Sequence, residues 1–439
     1  MAKFSAIVSG MRIPVPGSVY LVGGAVRDWL LGLEPMDKDY VVVGASANEM
    51  LSAGFKQVGA HFPVFLSPEG VEYALARQER KTGPGHTGFE CVFSPETSLE
   101  EDLERRDLTI NAMAISCEET LIDPYRGHLD LRDGILRHVT DRGFIEDPLR
   151  VLRLARFYAR YPKFTVADST YRLVVKMVQD GALNELSKER ITGEISKVLL
   201  DPTPGARPSR FFSLLREVGA LRDLIPSLAK LFFVDQSPIH HPEGNVFQHT
   251  MLALDWAKSE YSSVPQDDLE RVLYGVLFHD IGKIVESHGH ELHGVQVFDQ
   301  VCDSDLVLSS TVRRFVRMAI RQHMKFKRAL ELRPGTIHDL FEDLKAFREP
   351  NNVLLLRYVC TADDMGRGQQ RGSASYNYSL ADVCRCGTLL EACFEAARGI
   401  TAQRILDKHP DLKSGPWVGE QLRQERIAAI KSVQVMSTL

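Results

Sequence analysis

The pattern of hydrophobic and polar positions changes near residue 140 of the chain. Between Val19 and about His138, the segments VYLVGG, DYVVVG, VEYALARQ and CVFS predict strands, with helical and loop segments between them. From Asp147 onward, long stretches such as PLRVLRLARFYARY and FFSLLREVGALRDLI predict helices and leave few strand candidates. We therefore expect an α+β protein, in which a small mixed α/β part is followed by an all-helical remainder.

Proline and glycine interrupt the helical part at two places. The segments DPTPGARPSR (201–210) and SPIHHPEGN (237–245) predict boundaries there. A chain of 439 residues has room for about three domains. We predict parts with limits at 1–140, 141–235, 236–400 and 401–439, the last of them a helical tail.

The composition is typical of a folded cytoplasmic protein. Hydrophobic residues make up 44% and charged residues 25% of the chain. The formal net charge of −5 argues against a uniformly basic nucleic-acid coat but permits a local basic groove. The seven cysteines form neither CxxC pairs nor an even set, which favours reduced thiols. No apolar run approaches the ~18–20 residues of a membrane span, and the N-terminus is not a convincing signal peptide.

The segment LVGGAVRDWLLGLEPMDKDYVVV, residues 21–43, carries the clearest chemistry. Aspartates at positions i and i+2 of a strand point to the same face, so Asp37 and Asp39 can together hold a divalent metal. Gly23 and Gly24 can bring backbone N–H groups against a triphosphate, and Arg27 can reach a phosphate. This combination predicts nucleotidyl transfer.

Such a transfer needs the proton of a 3′-hydroxyl made labile and its developing charge neutralised, which two metals about 3.5–4 Å apart achieve. Glu72, in VEYALAR, is a candidate third carboxylate from a neighbouring strand. The alternative is a solvated turn in which two aspartates cap a loop. The preceding GGAVRD and the apolar strand around the pair favour the metal site.

A second motif, ERRDLTINAMA, spans residues 104–114. Arg105 and Arg106 can place a guanidinium on a phosphate or sugar while Asp107 orients it. By itself RRD is more often a surface charge cluster, so its interpretation depends on the first motif.

A third motif, EDPLRVLR, spans residues 146–153. Asp147 and Arg150 lie at i and i+3 at a predicted helix start, with Pro148 in its first turn, so their side chains can sit side by side. An acceptor beside a donor matches the Watson–Crick edges of cytosine and adenine and leaves guanine and uracil with unpaired groups. Further arginines on the same helix can track phosphates; they are Arg153, Arg156 and Arg160. The alternative is a helix-start salt bridge with a solvated arginine face.

Together these motifs resemble those of the class II tRNA nucleotidyltransferases, the CCA-adding enzymes of the DNA polymerase beta superfamily. The matching segments are GGAVRDWLLG…DKD, RRDLTINA, EDPLRVLR and SKERITGEISKVLL (187–200), in the same order. The resemblance implies a catalytic head, a helical neck with an amino-acid template for nucleotides, and a helical body and tail that hold tRNA. It also implies that KTGPGHTGFECVFSPET, residues 81–97, is the loop linked to the switch from C to A addition.

The resemblance assigns roles residue by residue. Catalysis and Mg²⁺ binding are implied for Asp37 and Asp39. Nucleotide binding, with CTP and ATP as substrates, is implied for Gly24, Arg27, Arg106, Asp147, Arg150 and Arg153. A structural role beneath the template is implied for Glu189, Arg190 and Glu194.

A second set of residues resembles the H…HD…D ligands of HD phosphohydrolases. It consists of His249 in FQHT, His279 and Asp280 in LFHDIGK, and Asp363 in TADDMGR. Mixed nitrogen and oxygen ligands suit a hydrolytic transition metal such as Ni²⁺, Co²⁺ or Mn²⁺. An isolated HD pair is usually structural, but the full set favours a metal site. Asp364 is an alternative to Asp363, and His290 and His323 are candidates for supporting roles or for ordinary core histidines.

A head and neck followed by an HD domain resemble the bacterial multifunctional members of the CCA-adding family. That implies 2′,3′-cyclic phosphodiesterase, 2′-nucleotidase and phosphatase activities, a tRNA partner, no membrane, and a monomer or homodimer. Two alternatives stay open: a poly(A) polymerase of the same superfamily, and a regulatory HD phosphohydrolase whose head senses nucleotides.

Overall fold

The structure is a computed structural model that describes residues 11, 13–35, 37–58, 64–81, 89–239, 241–367, 380–408 and 415–436. The chain folds into two compact units. The first comprises residues 1–194 and 217–220, and the second comprises residues 195–216 and 221–439. The four domain limits expected from the sequence stay predictions.

Within the described residues, all strands belong to the first unit. In chain order they are β1 Ser18–Val22, β2 Asp39–Val43, β3 Lys56–Val58, β4 Val64–Leu66, β5 Glu72–Leu75, β6 Arg77–Lys81, β7 Phe89–Phe93, β8 Ala114–Ile115, β9 Leu121–Ile122, β10 Ile135–Leu136 and β11 Thr165–Val166. Within the described residues, seven of them form one sheet in the order β3-β4-β5-β2-β1-β8-β9. Strands β1 and β2 are antiparallel, and β2 runs parallel to β5.

The sheet exists because its central strands carry β-branched and aromatic residues that can be buried. Val22 and Val41 are almost wholly buried in a core cluster that also contains Leu103. On neighbouring strands the rings of Tyr40 and Tyr73 stack with centroids 5.2 Å apart. This packing fixes the register that pairs Val22 with Asp39, and so fixes where the acidic end of β2 lies.

Helices alternate with the strands along the first unit. The first unit contributes α1 Gly24–Leu30, α2 Ala47–Ser52, α3 Leu99–Glu104, α4 Gly127–Asp133, α5 Asp141–Glu146, α6 Leu149–Arg160 and α7 Asp168–Gln179. A capping box begins α3, since Ser98 and Glu101 each bond the other's backbone N–H. Helix α3 therefore ends immediately before the two arginines of the RRD motif.

The rest of the chain is helical. Its helices are α8 Lys188–Leu199, α9 Pro208–Glu217, α10 Ala220–Leu224, α11 Pro226–Lys230, α12 Val246–Glu260, α13 Gln266–Phe278, α14 His290–Ser304, α15 Ser310–Lys327, α16 Pro334–Asp343, α17 Asn351–Met365, α18 Leu380–Arg398, α19 Ala402–Lys408 and α20 Pro416–Met436. Helix α13 is buried on all sides from Val272 to Phe278. The described part of the chain contains no helix long and apolar enough to cross a membrane.

The expected fold class is confirmed, with differences in detail. The strands β3, β4, β8 and β9 were not expected, because segments of two or three residues show no period. One expectation was wrong: Asp37 is not on a strand. Strand β2 begins at Asp39, and Asp37 lies two residues before it.

Candidate active sites

The acidic pair of the first unit lies at the start of β2. Asp37 and Asp39 are exposed. Desolvation of the carboxylate and the charge of Asp37 raise the pKa of Asp39, while Arg106 lowers it. Glu72 begins β5 one position before Tyr73, the parallel partner of Tyr40, so Glu72 and Asp39 start adjacent strands at the same level. Two carboxylates that repel each other, as Asp37 and Asp39 do, suit a divalent cation.

The glycine turn and Arg106 are packed together. Gly23 has φ +71°, and a Cβ added there would lie 2.6 Å from Nη1 of Arg106. Its N–H donates to the carbonyl of Met113 at 3.1 Å, so this N–H is already bonded within the protein. Glycine is therefore required at residue 23 both for its backbone angle and for the approach of the guanidinium.

The expectation that Asp107 orients the two arginines was wrong. Asp102 does so: Arg105 donates to its Oδ1 at 2.7 Å and Arg106 to its Oδ2 at 3.2 Å. Asp102 is fully buried on α3. Burial alone raises the pKa of Asp102, but the two guanidinium groups outweigh burial and lower it.

Asp107 instead belongs to a chain of hydrogen bonds that joins the three sequence motifs. Arg27 Nη1 donates to Oδ1 of Asn111 at 2.6 Å, and Nδ2 of Asn111 donates to Asp107 at 2.9 Å. The other carboxylate oxygen of Asp107 accepts from Nε of Arg153 on α6 at 2.8 Å. Sequence reasoning missed Asn111, although it lies inside the quoted RRDLTINA segment.

The two residues expected to read the base have partners from different elements. Asp147 accepts from Nη2 of Arg190 on α8 at 2.9 Å. Arg150 donates to the backbone carbonyl oxygens of Arg105 and Arg106. The backbone of the RRD motif thus positions Arg150, and Arg190 of α8 positions Asp147.

The arginines of α6 that were expected to track phosphates have intramolecular partners. Arg156 donates to Glu194 at 2.8 Å, and Glu194 is 1% exposed. Arg160 lies 3.7 Å from Asp28. Glu194 thus contacts α6, Arg190 contacts Asp147 just before that helix, and Glu189 is exposed. Of the loop expected at 81–97, residues 82–88 lie outside the described residues.

The second unit brings four histidines and two aspartates together in its interior. Nε2 of His249 lies 3.0 Å from Oδ1 of Asp363, and Nε2 of His279 lies 3.7 Å from the same oxygen. Nε2 of His279 also lies 3.4 Å from Asp280. Three of the four residues expected as ligands, His249, His279 and Asp363, therefore converge on one point, and Asp280 adjoins them through His279.

Asp280 also belongs to a group with His290 and His323. Nε2 of His290 lies 3.0 Å from Oδ1 of Asp280 and 3.0 Å from Nε2 of His323. Nε2 of His323 is 3.9 Å from the same carboxylate oxygen. Both histidines are buried. Asp280 connects them to the group formed by His249, His279 and Asp363.

Two lysines and a proton on His279 offset the negative charges of Asp280 and Asp363. Burial opposes the charged form, but Asp280 and Asp363 outweigh it and raise the pKa of His279 to about 10. Burial and His279 lower the pKa of His323 to about 3. Lys283 lies 2.7 Å from Asp280, and Lys327 lies 2.5 Å from Asp363.

The geometry fits a metal. Within the described residues, the buried Nε2 of His279 has no hydrogen bond of ordinary geometry. The ligand atoms of Asp363, His249 and His279 lie within 4.8 Å of one another, whereas Asp364 forms ion pairs with Lys327 at 2.8 Å and Arg367 at 3.0 Å. Sequence reasoning missed Glu243, which contacts His249 and had been assigned only to a chain break.

Comparison with known proteins identifies three regions. Residues 19–137 match the poly A polymerase head domain, residues 163–232 match the probable RNA and SrmB-binding site of polymerase A, and residues 241–367 match the HD domain. The chain is 44% identical over 424 residues to the multifunctional CCA protein of Halorhodospira halophila, covering 94% of this chain and 96% of that protein. It is 41% identical to that of Vibrio vulnificus, covering 94% and 98%.

Solved structures share the fold. A CCA-adding enzyme in apo form II has a TM-score of 0.61 at 20% identity, covering 96% of this chain and 92% of that one. The Thermotoga maritima CCA-adding enzyme complexed with tRNA_CCA has a TM-score of 0.60 at 18% identity, covering 95% and 91%.

Proposed function

The chain belongs to the family of multifunctional CCA proteins, and from that membership we propose that it adds and repairs the 3′-terminal CCA of tRNA. The chain is a nucleotidyltransferase with an HD phosphohydrolase domain. CTP and ATP are the proposed substrates, pyrophosphate is released, and no nucleic-acid template is needed. The observation that carries this proposal is the 44% identity to a multifunctional CCA protein over 94% of the chain.

In the proposed reaction, the 3′-oxygen of tRNA bonds to the α-phosphorus of the nucleotide while the bond to pyrophosphate breaks. Asp37 and Asp39 are proposed to hold Mg²⁺, which when bound supplies charge neutralisation at the reacting oxygens. Arg106 contributes a positive charge next to Asp39, since each affects the pKa of the other. Gly24 and Arg27 are proposed to contact the nucleotide from the turn after β1.

Base selection is proposed for Asp147 and Arg150. Arg190 orients the carboxylate of Asp147, and the carbonyl groups of Arg105 and Arg106 orient the guanidinium of Arg150. A positioned acceptor and donor accept cytosine and adenine and leave guanine and uracil unpaired. Arg153, held by Asp107, is proposed to bind the nucleotide phosphates.

We propose that His249, His279, Asp280 and Asp363 hold a divalent transition metal such as Ni²⁺, Co²⁺ or Mn²⁺. A bound metal supplies an activated water for phosphate ester hydrolysis. The proposed activities are those of a 2′,3′-cyclic phosphodiesterase, a 2′-nucleotidase and a phosphatase, which prepare damaged tRNA ends. The convergence of three histidine and carboxylate ligands on one buried point supports this site.

Two variants test the assignment of both sites in the full-length protein. We expect Asp37→Asn with Asp39→Asn to abolish CTP-dependent pyrophosphate release on tRNA and to leave phosphate ester hydrolysis intact. We expect Asp280→Asn to do the reverse, because the two groups of residues belong to different compact units. Loss of both activities in either variant would contradict the assignment, provided that circular dichroism shows a folded protein.

The same measurement addresses a regulatory HD phosphohydrolase whose head only senses nucleotides. Such a protein would release no pyrophosphate on tRNA, and the head variant would alter hydrolysis. A cytoplasmic location and a monomeric or homodimeric state are part of the proposal, on the strength of the family alone.

A further inference from the structure

We call His249, His279, His290 and His323, together with Asp280 and Asp363, the HD cluster. Three of its four histidines are oriented in the same way. In each of these three, Nδ1 lies within hydrogen-bond distance of the backbone carbonyl three residues earlier. The pairs are His279 with Val276 at 2.8 Å, His290 with Ser287 at 3.0 Å, and His323 with Ile320 at 2.9 Å. A carbonyl can only accept, so Nδ1 carries a proton, and in the neutral form of each ring Nε2 is the nitrogen left with a lone pair.

His249 is the exception among the four. The carbonyl three residues before it belongs to Val246, and that oxygen accepts from the hydroxyl of Thr250 at 2.9 Å. Nδ1 of His249 lies instead 2.8 Å from Oε1 of Glu243. The orientation of this histidine therefore depends on a side chain, which can be changed by substitution.

The loop before α12 is built to place that side chain. Gly244 has φ +110°, in the region that favours glycine, and a Cβ there would lie 2.7 Å from Gln248. Asn245 follows and caps α12 by accepting from the N–H of Gln248 at 2.9 Å. The turn at Gly244 thus lets the carboxylate of Glu243 contact His249, which lies six residues later on α12.

The carboxylate is enclosed with two histidines. Its side chain is 2% exposed, and the same Oε1 lies 2.8 Å from Nδ1 of His241. The rings of His241 and His249 meet edge to face with centroids 4.9 Å apart. A buried carboxylate accepts from a histidine more strongly than a backbone carbonyl does, because the interaction is assisted by charge.

We propose that Glu243 is a positioning residue for the HD metal. It fixes the proton of His249 on Nδ1, directs Nε2 toward the point shared with Asp363, and makes that nitrogen a more basic ligand. Glu243 does not itself face the shared point, because it contacts the opposite nitrogen of the ring. This inference rests on the proposed metal site and names the residue that tunes it.

The test measures Co²⁺ binding to the full-length protein by isothermal titration, with excess Mg²⁺ present to occupy the head. Glu243→Gln keeps the size of the side chain and an accepting oxygen but removes the charge. We expect it to weaken Co²⁺ binding about 10–100-fold, the usual effect of losing such a partner. The Co²⁺ absorption spectrum should change, because the orientation of one ligand changes, and pyrophosphate release on tRNA should not.

A matched control is available in the same unit. Glu286 lies 3.5 Å from His293, and both side chains are largely exposed. Glu286→Gln removes the same charge from a histidine outside the cluster and should leave Co²⁺ affinity unchanged. Glu243→Asp keeps the charge at a greater distance from His249 and should bind Co²⁺ with intermediate affinity, which covers the case in which Glu243→Gln does not fold.

The outcomes separate the inference from the proposed function. Wild-type affinity in Glu243→Gln would overturn the positioning role while leaving the metal site in place. Equal weakening in Glu286→Gln would also overturn it, because the effect would then be one of overall charge. No Co²⁺ uptake by the wild-type protein in excess Mg²⁺ would reject the metal site, and the inference with it.

Discussion

At the scale of single residues, buried carboxylates determine where the arginines of the head point. Asp102 holds Arg105 and Arg106, and Asp107 holds Arg153. The sequence shows which residues are charged, but it does not show which acid is buried beside which base. For this reason RRD suggested Asp107 as the partner of its own arginines, whereas the actual partner is four residues before Arg106 on the preceding helix.

Asp107 gives a prediction about stability and pH. Burial raises its pKa, but Arg153 and the hydrogen bond from Asn111 outweigh burial and lower the pKa well below its usual value of 3.8. The carboxylate therefore stabilises the folded head above about pH 4. This contribution is lost as the pH falls through the lowered pKa. We expect Asp107→Asn to destabilise the head by about 2–3 kcal/mol at neutral pH, less than for a wholly buried pair.

Thermal unfolding of the wild type and Asp107→Asn across a pH series measures this contribution. The difference between their midpoints should shrink as the pH falls below about 4. Asp133→Asn is the control, because Asp133 pairs with Arg132 at an exposed position. A difference for Asp107→Asn that does not depend on pH would contradict the role given to its charge.

At the scale of elements, the position of each site residue follows from where an element begins or ends. Asp39 starts β2, His279 follows the buried helix α13, and His290 starts α14. Periodicity predicted the long helices, since their apolar faces repeat over several turns. It did not locate the start of β2 or the strands of two or three residues, because their pairing depends on partners distant in sequence.

Gly282 gives a prediction at this scale. It lies in the 3₁₀ turn Ile281–Ile284, and a Cβ there would lie 2.0 Å from the carbonyl oxygen of His290 and 2.6 Å from the nitrogen of Gly294. Gly282→Ala should push α14 away and break the 3.0 Å contact between His290 and Asp280. Overpacking costs about 1–3 kcal/mol of folding stability. Because Asp280 loses the contact with His290, we expect hydrolysis to fall about tenfold or more and nucleotide addition to persist.

Steady-state hydrolysis of a 2′,3′-cyclic nucleotide measures this effect. The control is Gly419→Ala on α20, where no described atom outside the local helix backbone lies within 4 Å of the added Cβ. Normal hydrolysis by Gly282→Ala would contradict the close approach of the turn to α14.

At the scale of the whole molecule, the sequence predicted the family better than it predicted the contacts between residues. Four motifs in a fixed order identified the family, and comparison over 94% of the chain confirmed it. The residues that support the site were harder to predict. Asn111 accepts from Arg27, 84 positions earlier in the sequence, and connects it to Asp107, and Glu243 was inconspicuous in a loop. Such contacts depend on the tertiary fold, which short-range patterns do not contain.

The proposed function is CCA addition to tRNA through Asp37 and Asp39, with Asp147 and Arg150 selecting the base. The most direct measurement is to incubate tRNA lacking its 3′ end with CTP, with ATP and with both, and to sequence the products. The account predicts two C with CTP alone, C-C-A with both nucleotides, no addition by the Asp37→Asn, Asp39→Asn variant, and misincorporation by Asp147→Ala. A run of A residues would indicate a poly(A) polymerase and would contradict the account, as would unchanged base choice in Asp147→Ala.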